Sequence, residues 1–271
     1  MASPEHELES ELDPVLDKDG VRLTVDDAIA TVTLTHPAKR NAQSPALWRA
    51  LTEAGRLLPG SVRVVVLRAE GKSFSAGLDR QAFTPEGFDG EPSFLDLARG
   101  GDAELDATIA EYQEAFTWWR RSDIVSVAAV QGHAIGAGFQ LALACDLRVV
   151  ADDVQFAMRE TSLGLVPDLT GTHPLVGLVG QARALEICLT GRFVTAEESV
   201  ATGLANLAVP RDDLDDAVRD LASAVLAAPR SAVIETKALL QGARDRTYEQ
   251  QRTAERQSQA RRLRDLAGLG E

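Results

Sequence analysis

The chain has 271 residues, 45% of them hydrophobic, and a formal net charge of −13. That length and apolar content suffice for one large core, or one core with a small appendage. The acidity excludes nucleic acid or an anionic membrane surface as the main partner. The two cysteines, Cys145 and Cys188, lie in apolar surroundings and read as free buried thiols rather than as a disulfide or a metal site.

The first 18 residues are acidic and lack both a basic start and an apolar stretch, so they predict a disordered tail rather than a signal or transit peptide. No apolar run reaches membrane-spanning length, and a soluble, cytoplasmic protein is the expectation. Val21 to Val25 and Ala28 to Thr35 alternate β-branched and polar residues around Asp26-Asp27, a hairpin signal. His36 to Ala42 reads as a loop. Ser44-Pro45 starts a helix that stops at Pro59-Gly60.

Val62 to Arg68 is a strand, and the Gly71 to Asp79 turn at its end is a candidate site, since ligands bind beyond the carboxyl ends of such strands. Thr84 to Gly101, rich in Gly, Pro and Asp, predicts a mobile loop insertion. A helix is expected from Ala103 to about Arg121. Then come a strand (Ile124 to Val130), a Gly-rich turn (Gly132 to Gly138) and a helix (Phe139 to Cys145). That succession aims free backbone N–H groups at one point.

Strands follow at Leu147 to Ala151 and Val154 to Met158, with a helix from about Gly171. The recurrence of strand, strand and helix suggests successive ββα turns. Further helices are expected at Ala182 to Leu189 and after Thr195, where Thr195 to Glu198 reads as a capping box. A short strand spans Leu204 to Val209. Past Pro210 the chain reads as helices only, divided by Pro229 and Gly242, which marks a boundary between residues 19–209 and a helical segment, 210–271. The arginines of its last helix fit a solvated or inter-subunit face.

Two carboxylates stand close beyond the Gly-rich turn: Glu160 and Asp168. Amide donors beside acids are what stabilising an enolate while moving a proton requires. His36, His133 and His173 lack metal-ligand spacing, so no metal is expected. The Gly132 to Gly138 turn also lacks the G-x-G-x-x-G spacing of dinucleotide sites.

Four ordered motifs, HPAKRNA at His36, FSAGLD at Phe74, QGHAIGAGFQLALACD at Gln131 and QFAMRETSLGLVPDLTGT at Gln155, resemble the crotonase superfamily, the enoyl-CoA hydratases and isomerases. The resemblance covers about Val21 to Leu266. It implies an α/β fold, a crotonase-like spiral of ββα repeats with a helical C-terminal oligomerisation segment, usually in a homotrimer or homohexamer. It also implies an acyl-CoA thioester as substrate, with coenzyme A belonging to the substrate and no separate cofactor. The oxyanion-hole N–H groups then fall on Leu78 and Ala137. Lys39, Arg40, Ala76 and Asp79 fall along the coenzyme A groove, with Lys72 and Arg80 as further cations. Trp118, Trp119, Phe83, Phe88 and Phe94 are candidates for the acyl pocket, with core packing the expected role for most of them.

Of the two hydratase glutamates, one maps onto Glu160 and the other onto Gln140, which can hold a water but cannot take its proton. Asp168 stands where hydratases usually have glycine and dienoyl-CoA isomerases carry an acid, although an Asp after Pro167 also suits an ordinary turn. The site pattern is therefore closest to the dienoyl-CoA isomerases, and double-bond isomerisation is the leading expectation. Hydration by Glu160 alone and a non-catalytic acyl-CoA-binding scaffold are the alternatives.

Overall fold

The computed structural model describes residues 13–88 and 91–270. A seven-stranded sheet, in the order β1-β2-β3-β4-β5-β7-β10, runs through its centre. Its strands are β1 (Leu16–Lys18), β2 (Val21–Asp26), β3 (Ile29–Leu34), β4 (Val64–Ala69), β5 (Val125–Val130), β7 (Leu147–Ala151) and β10 (Leu207–Val209). β1, β2 and β3 are antiparallel; from β3 onward every neighbour is parallel. A second sheet joins β6 (His133–Ile135), β8 (Gln155–Ala157) and β9 (Val194–Thr195). The helices are α1 (Pro45–Leu57), α2 (Phe94–Leu97), α3 (Asp102–Thr117), α4 (Ala137–Ala144), α5 (Thr172–Val179), α6 (Gln181–Thr190), α7 (Ala196–Ala201), α8 (Leu214–Ala227), α9 (Arg230–Gly242) and α10 (Tyr248–Leu266).

The unbroken apolar runs of β4, β5 and β7 follow from burial on both faces of a parallel sheet. Alternate residues divide between two cores. Val65, Leu67, Ala128, Val130 and Val150 join the large core with α1, α3 and α4. Val64, Val66, Val127, Ala129, Val149 and Ala151 face Leu214, Val218 and Ala222 of α8.

The repeated unit is visible in the pairing. β5 and β7 enter the large sheet, β6 and β8 enter the small one, and α4 and α5 follow. Ser75 pairs in parallel with Ala134, and Leu78 with Gln43, which extends the small sheet back through the two preceding turns. The chain is thus a spiral of strand–strand–helix turns followed by helices, an α/β architecture as expected.

Several expectations are corrected. The tail ends earlier than Lys18: residues 1–12 lie outside the described residues, and Leu16–Lys18 pairs with Val21–Leu23. The Gly132 to Gly138 turn contains β6, because His133 to Ile135 adds to Ser75 on one side and to β8 on the other. The insertion from Thr84 contains α2, and Phe94 stacks on Tyr112 of α3 and edges onto Phe83. Thr195 caps α7 by accepting from Glu198 N–H, but the capping box is half formed, since the Glu198 carboxylate accepts from Arg192 and Arg183 instead. Trp119 is fully buried and Trp118 stacks on it beside Gly55 of α1, so both belong to the core rather than to a pocket wall. No helix among the described residues is long and apolar enough to cross a membrane.

The C-terminal helices are tied to the sheet through a buried cation. Lys237 of α9 donates to Arg121 O (2.6 Å), Ile124 O (2.7 Å) and Asp146 Oδ2 (2.6 Å). The same Asp146 oxygen accepts from Ser126 N–H and Oγ–H, which fixes the start of β5. All three ammonium protons are matched, so a buried charge is tolerated. Truncation to Lys237→Ala strands Asp146 and two carbonyls. It should cost about 3 kcal/mol, read as a lower urea midpoint at constant slope. Arg252→Ala, which breaks an exposed pair on α10, should cost under about 0.5 kcal/mol.

Candidate active site

Two backbone segments meet at the site. After β4, Gly77 takes φ +85°, and an added Cβ would lie 2.5 Å from Ile135 O and 3.7 Å from the Ala137 nitrogen. Gly138 is as tightly placed, since a Cβ there would lie 2.7 Å from both Ser75 Cβ and Ser75 O. Glycine is required where backbones approach this closely.

The crossing leaves Leu78 and Ala137 as neighbours with free amides. Gln43 N–H donates to Gly77 O and Asp79 N–H donates to Gln43 O, both at 2.8 Å, so the Leu78 N–H points the other way. Ala137 is the first residue of α4, whose N–H has no partner within the helix. Among the described residues neither amide donates a hydrogen bond. Both are thereby open to an oxygen, and the N-terminus of α4 favours negative charge there.

A buried network, which the sequence did not single out, holds this turn. Ser75 Oγ donates to Asn41 O (2.7 Å) and accepts from Gln43 Nε2 and Gly77 N–H. Gln43 Oε1 accepts from Trp48 Nε1 (2.8 Å), and Asn41 Nδ2 donates to the carbonyls of Glu70 and Ser73. Asn41 lies inside the quoted HPAKRNA motif and Gln43 just beyond it, and only their full burial marks them as braces.

Glu160 begins a 3-10 turn after β8 and is 9% exposed. Its Oε1 accepts from Gln140 Nε2 at 2.7 Å, whereas its buried Oε2 has no partner among the described residues. Its carboxylate packs on Gly136, where a Cβ would lie 3.2 Å from Oε1, immediately before the Ala137 amide. Burial pushes the Glu160 pKa up, the nearby Asp168 charge adds to the rise, and the Gln140 bond opposes it.

Asp168 lies in the loop between that turn and α5, and its carbonyl accepts from Gln113 Nε2 at 2.6 Å. The residue is exposed, yet desolvation by the surrounding atoms still raises its carboxyl pKa. Water contact limits the effect of that desolvation.

A groove of about 650 Å³ runs from Leu78 outward between Ala38, Lys39, Arg40, Ala42, Ala76, Asp79, Arg80, His133 and Ile135. Lys39 lies 3.3 Å from Asp79, which also caps the turn at Arg80 by accepting from Gln81 N–H. Arg40 and Arg80 are exposed. Of the residues expected along the groove, Lys39, Arg40, Ala76, Asp79 and Arg80 are there. Lys72 is not: its carbonyl instead accepts from Arg211. His133, considered at the sequence level only as a metal ligand, is a groove wall. Among the described residues no three His, Cys, Asp or Glu side chains are grouped to hold a metal ion.

The sequence model of the Enoyl-CoA hydratase/isomerase family matches residues 24–265. The carnitinyl-CoA dehydratase of Salmonella arizonae is 34% identical over 235 residues, covering 86% of this chain and 84% of that protein. The human mitochondrial Delta(3,5)-Delta(2,4)-dienoyl-CoA isomerase is 33% identical over 218 residues, covering 79% and 66%. Among solved structures, a Thermobifida fusca YX protein named as an enoyl-CoA hydratase, in complex with CoA, is 48% identical with a TM-score of 0.87. The match covers 92% of this chain and 95% of that one.

The raised Glu160 pKa has a stability consequence. A carboxyl whose pKa is higher folded than unfolded favours the fold at low pH, and that advantage is lost as pH rises through the folded value. Glu160→Gln removes the ionisation and can still accept from Gln140. Its melting temperature should exceed that of the parent at pH 7.5, with the gap closing toward pH 4. A gap that widens on acidification would contradict the assigned environment.

Proposed function

The chain belongs to the enoyl-CoA hydratase/isomerase family, and from that premise we propose that it moves a double bond in an enoyl- or dienoyl-CoA. The observation that carries this reading is the inventory of proton carriers. Glu160 offers one buried, unpartnered oxygen, Asp168 is the second acid, and the side chain at 140 is a neutral amide.

In the proposed reaction, the thioester oxygen sits between Leu78 N–H and Ala137 N–H. Glu160 Oε2 takes a proton from one carbon of the acyl chain. The C–H electron pair becomes a new C=C bond, and charge collects on the thioester oxygen. Each preorganised donor there is worth about 3 kcal/mol at the transition state. Asp168, protonated from solvent, then delivers a proton to a more distant carbon, the enolate collapses, Glu160 passes its proton back to solvent, and the formula is unchanged. The exposure of Asp168 lets its proton exchange with solvent between turnovers.

Lys39, Arg40 and Arg80 supply the local positive charge that coenzyme A phosphates need in an otherwise acidic chain. The Thermobifida fusca relatives in complex with CoA and with acetoacetyl-CoA support that use of the groove. The chemistry requires proton transfer and carbonyl polarisation only, so neither a metal nor a redox cofactor is part of the proposal. A homotrimer or homohexamer is also proposed, supported by the exposed apolar side chains of Leu163, Val166, Leu185 and Leu189.

The test is mass spectrometry of 2-enoyl-, 3-enoyl- and 3,5-dienoyl-CoA esters incubated with the protein in heavy water. The expected product keeps its formula apart from deuterium and has a shifted double bond. Addition of a whole water would establish hydration instead, and binding without any change would establish a non-catalytic scaffold. Glu160→Gln should lower turnover by about 10²- to 10⁴-fold while leaving ester binding nearly intact.

A further inference from the structure

We propose that Gln140 is the positioning residue of this site: its single amide group holds one oxygen of Glu160 and the loop carrying Asp168 in a fixed relation, leaving Glu160 Oε2 as the one free oxygen of that carboxylate. The proposal rests on the functional reading above only for the use to which that oxygen is put. Gln140 lies on α4, one turn beyond the Ala137 amide, and is 1% exposed. Its Nε2 donates to Glu160 Oε1 at 2.7 Å. Its Oε1 accepts from Leu169 N–H at 2.9 Å and from Gly171 N–H at 3.3 Å. Both lone pairs of the amide oxygen are thereby used.

The amide cannot be reversed. A flipped group would set its oxygen against a carboxylate oxygen and its NH₂ against two backbone donors. The fit is also steric, since a Cβ on Gly171 would lie 2.7 Å from Gln140 Cγ. The loop it grips is strained: Thr170, a β-branched residue, has φ +66°, which persists only where surrounding contacts enforce it. Gln113 Nε2 grips the same loop from α3, through Asp168 O.

A glutamate at this place could still accept from Leu169 and Gly171. It would also put two carboxyl groups in contact, which then share one proton and titrate as a pair. The neutral amide avoids that coupling and stabilises the charged form of Glu160 by donating to it. The other titratable groups bearing on Glu160 are Asp168 from the following loop and Cys188 from α6, whose thiol is held neutral by burial and by Glu160 itself.

The test is a pH titration of the full chain without substrate, followed by infrared difference spectroscopy of its carboxyl groups. The Glu160 band is identified as the one missing from Glu160→Gln. In Gln140→Met, which removes the donor, the Glu160 midpoint should rise by about one pH unit. In Gln140→Glu, one step should be replaced by two, the upper displaced further. With the isomerising ester, the acid limb of kcat/KM should move upward with the band. kcat should fall at least tenfold and KM should change less than twofold, because the amide of Gln140 is engaged by Glu160, Leu169 and Gly171.

Unchanged Glu160 midpoints in both variants would overturn the proposal even if Glu160→Gln is inactive. Full turnover by Glu160→Gln would instead remove Glu160 from the chemistry while leaving the infrared result to decide the role of Gln140. Should Gln140→Met fail to melt cooperatively, Gln140→Glu, which keeps the acceptors for the loop, decides alone.

Discussion

Everything at the site hangs on one backbone crossing, where residues 75–78 run against residues 134–138. Ser75 N–H donates to His133 O and Ile135 N–H donates to Ser75 O, so the two segments behave as neighbouring strands. Just beyond the paired stretch, Gly77, Gly136 and Gly138 let the chains approach to distances that a Cβ at Gly77 or Gly138 would forbid. Two amides from different turns of the spiral thus arrive at one place with their own strand-type bonds absent. Neither segment alone makes such a pair. It is a product of the repeat, in which each turn stacks its second strand on that of the turn before.

That crossing also explains where polar side chains are buried. A turn whose amides must stay free cannot be held by those amides, so it is held by side chains. Ser75, Asn41 and Gln43 take that part on one side, and Gln140 on the other. Each is buried, yet each has partners that answer its hydrogen-bonding groups, as buried polar groups require. The exception is Glu160 Oε2, the one buried carboxylate oxygen without a partner among the described residues. An unsatisfied charged atom is costly in a core, and stability is commonly given up where function needs a poised group.

What could be read from the chain alone follows from how locally each feature is encoded. The runs of β4, β5 and β7 carry their own burial signature, and Ser44-Pro45 announces its helix through capping, which it completes. β6 was missed because three residues between glycines carry no period; their strand character comes from Ser75 and β8, which are distant in sequence. Core packing is the role expected of most of the aromatics, and Trp118 and Trp119 both take it, although a helix pattern does not say which neighbour it faces. The candidate site divides the same way. Leu78, Ala137 and Glu160 sit in motifs with short-range glycine signals. The bonds of Gln140 join residues 20, 29 and 31 positions apart, which no local pattern encodes.

The substitution of an amide for an acid at position 140 therefore reads differently in the fold than in the sequence. In the sequence it is the loss of a group that could move a proton. In the fold it removes a competitor for one. A second carboxylate in contact with Oε1 would share a proton with Glu160 and titrate with it as a pair. With an amide there, the negative charge bearing most directly on Glu160 is Asp168, on the loop that the same amide grips. Two acids with raised pKa values, one buried and one exposed, are kept distinct in environment by a neutral group between them. Under the proposed isomerisation, such an arrangement would serve to pass a proton from one carbon to another.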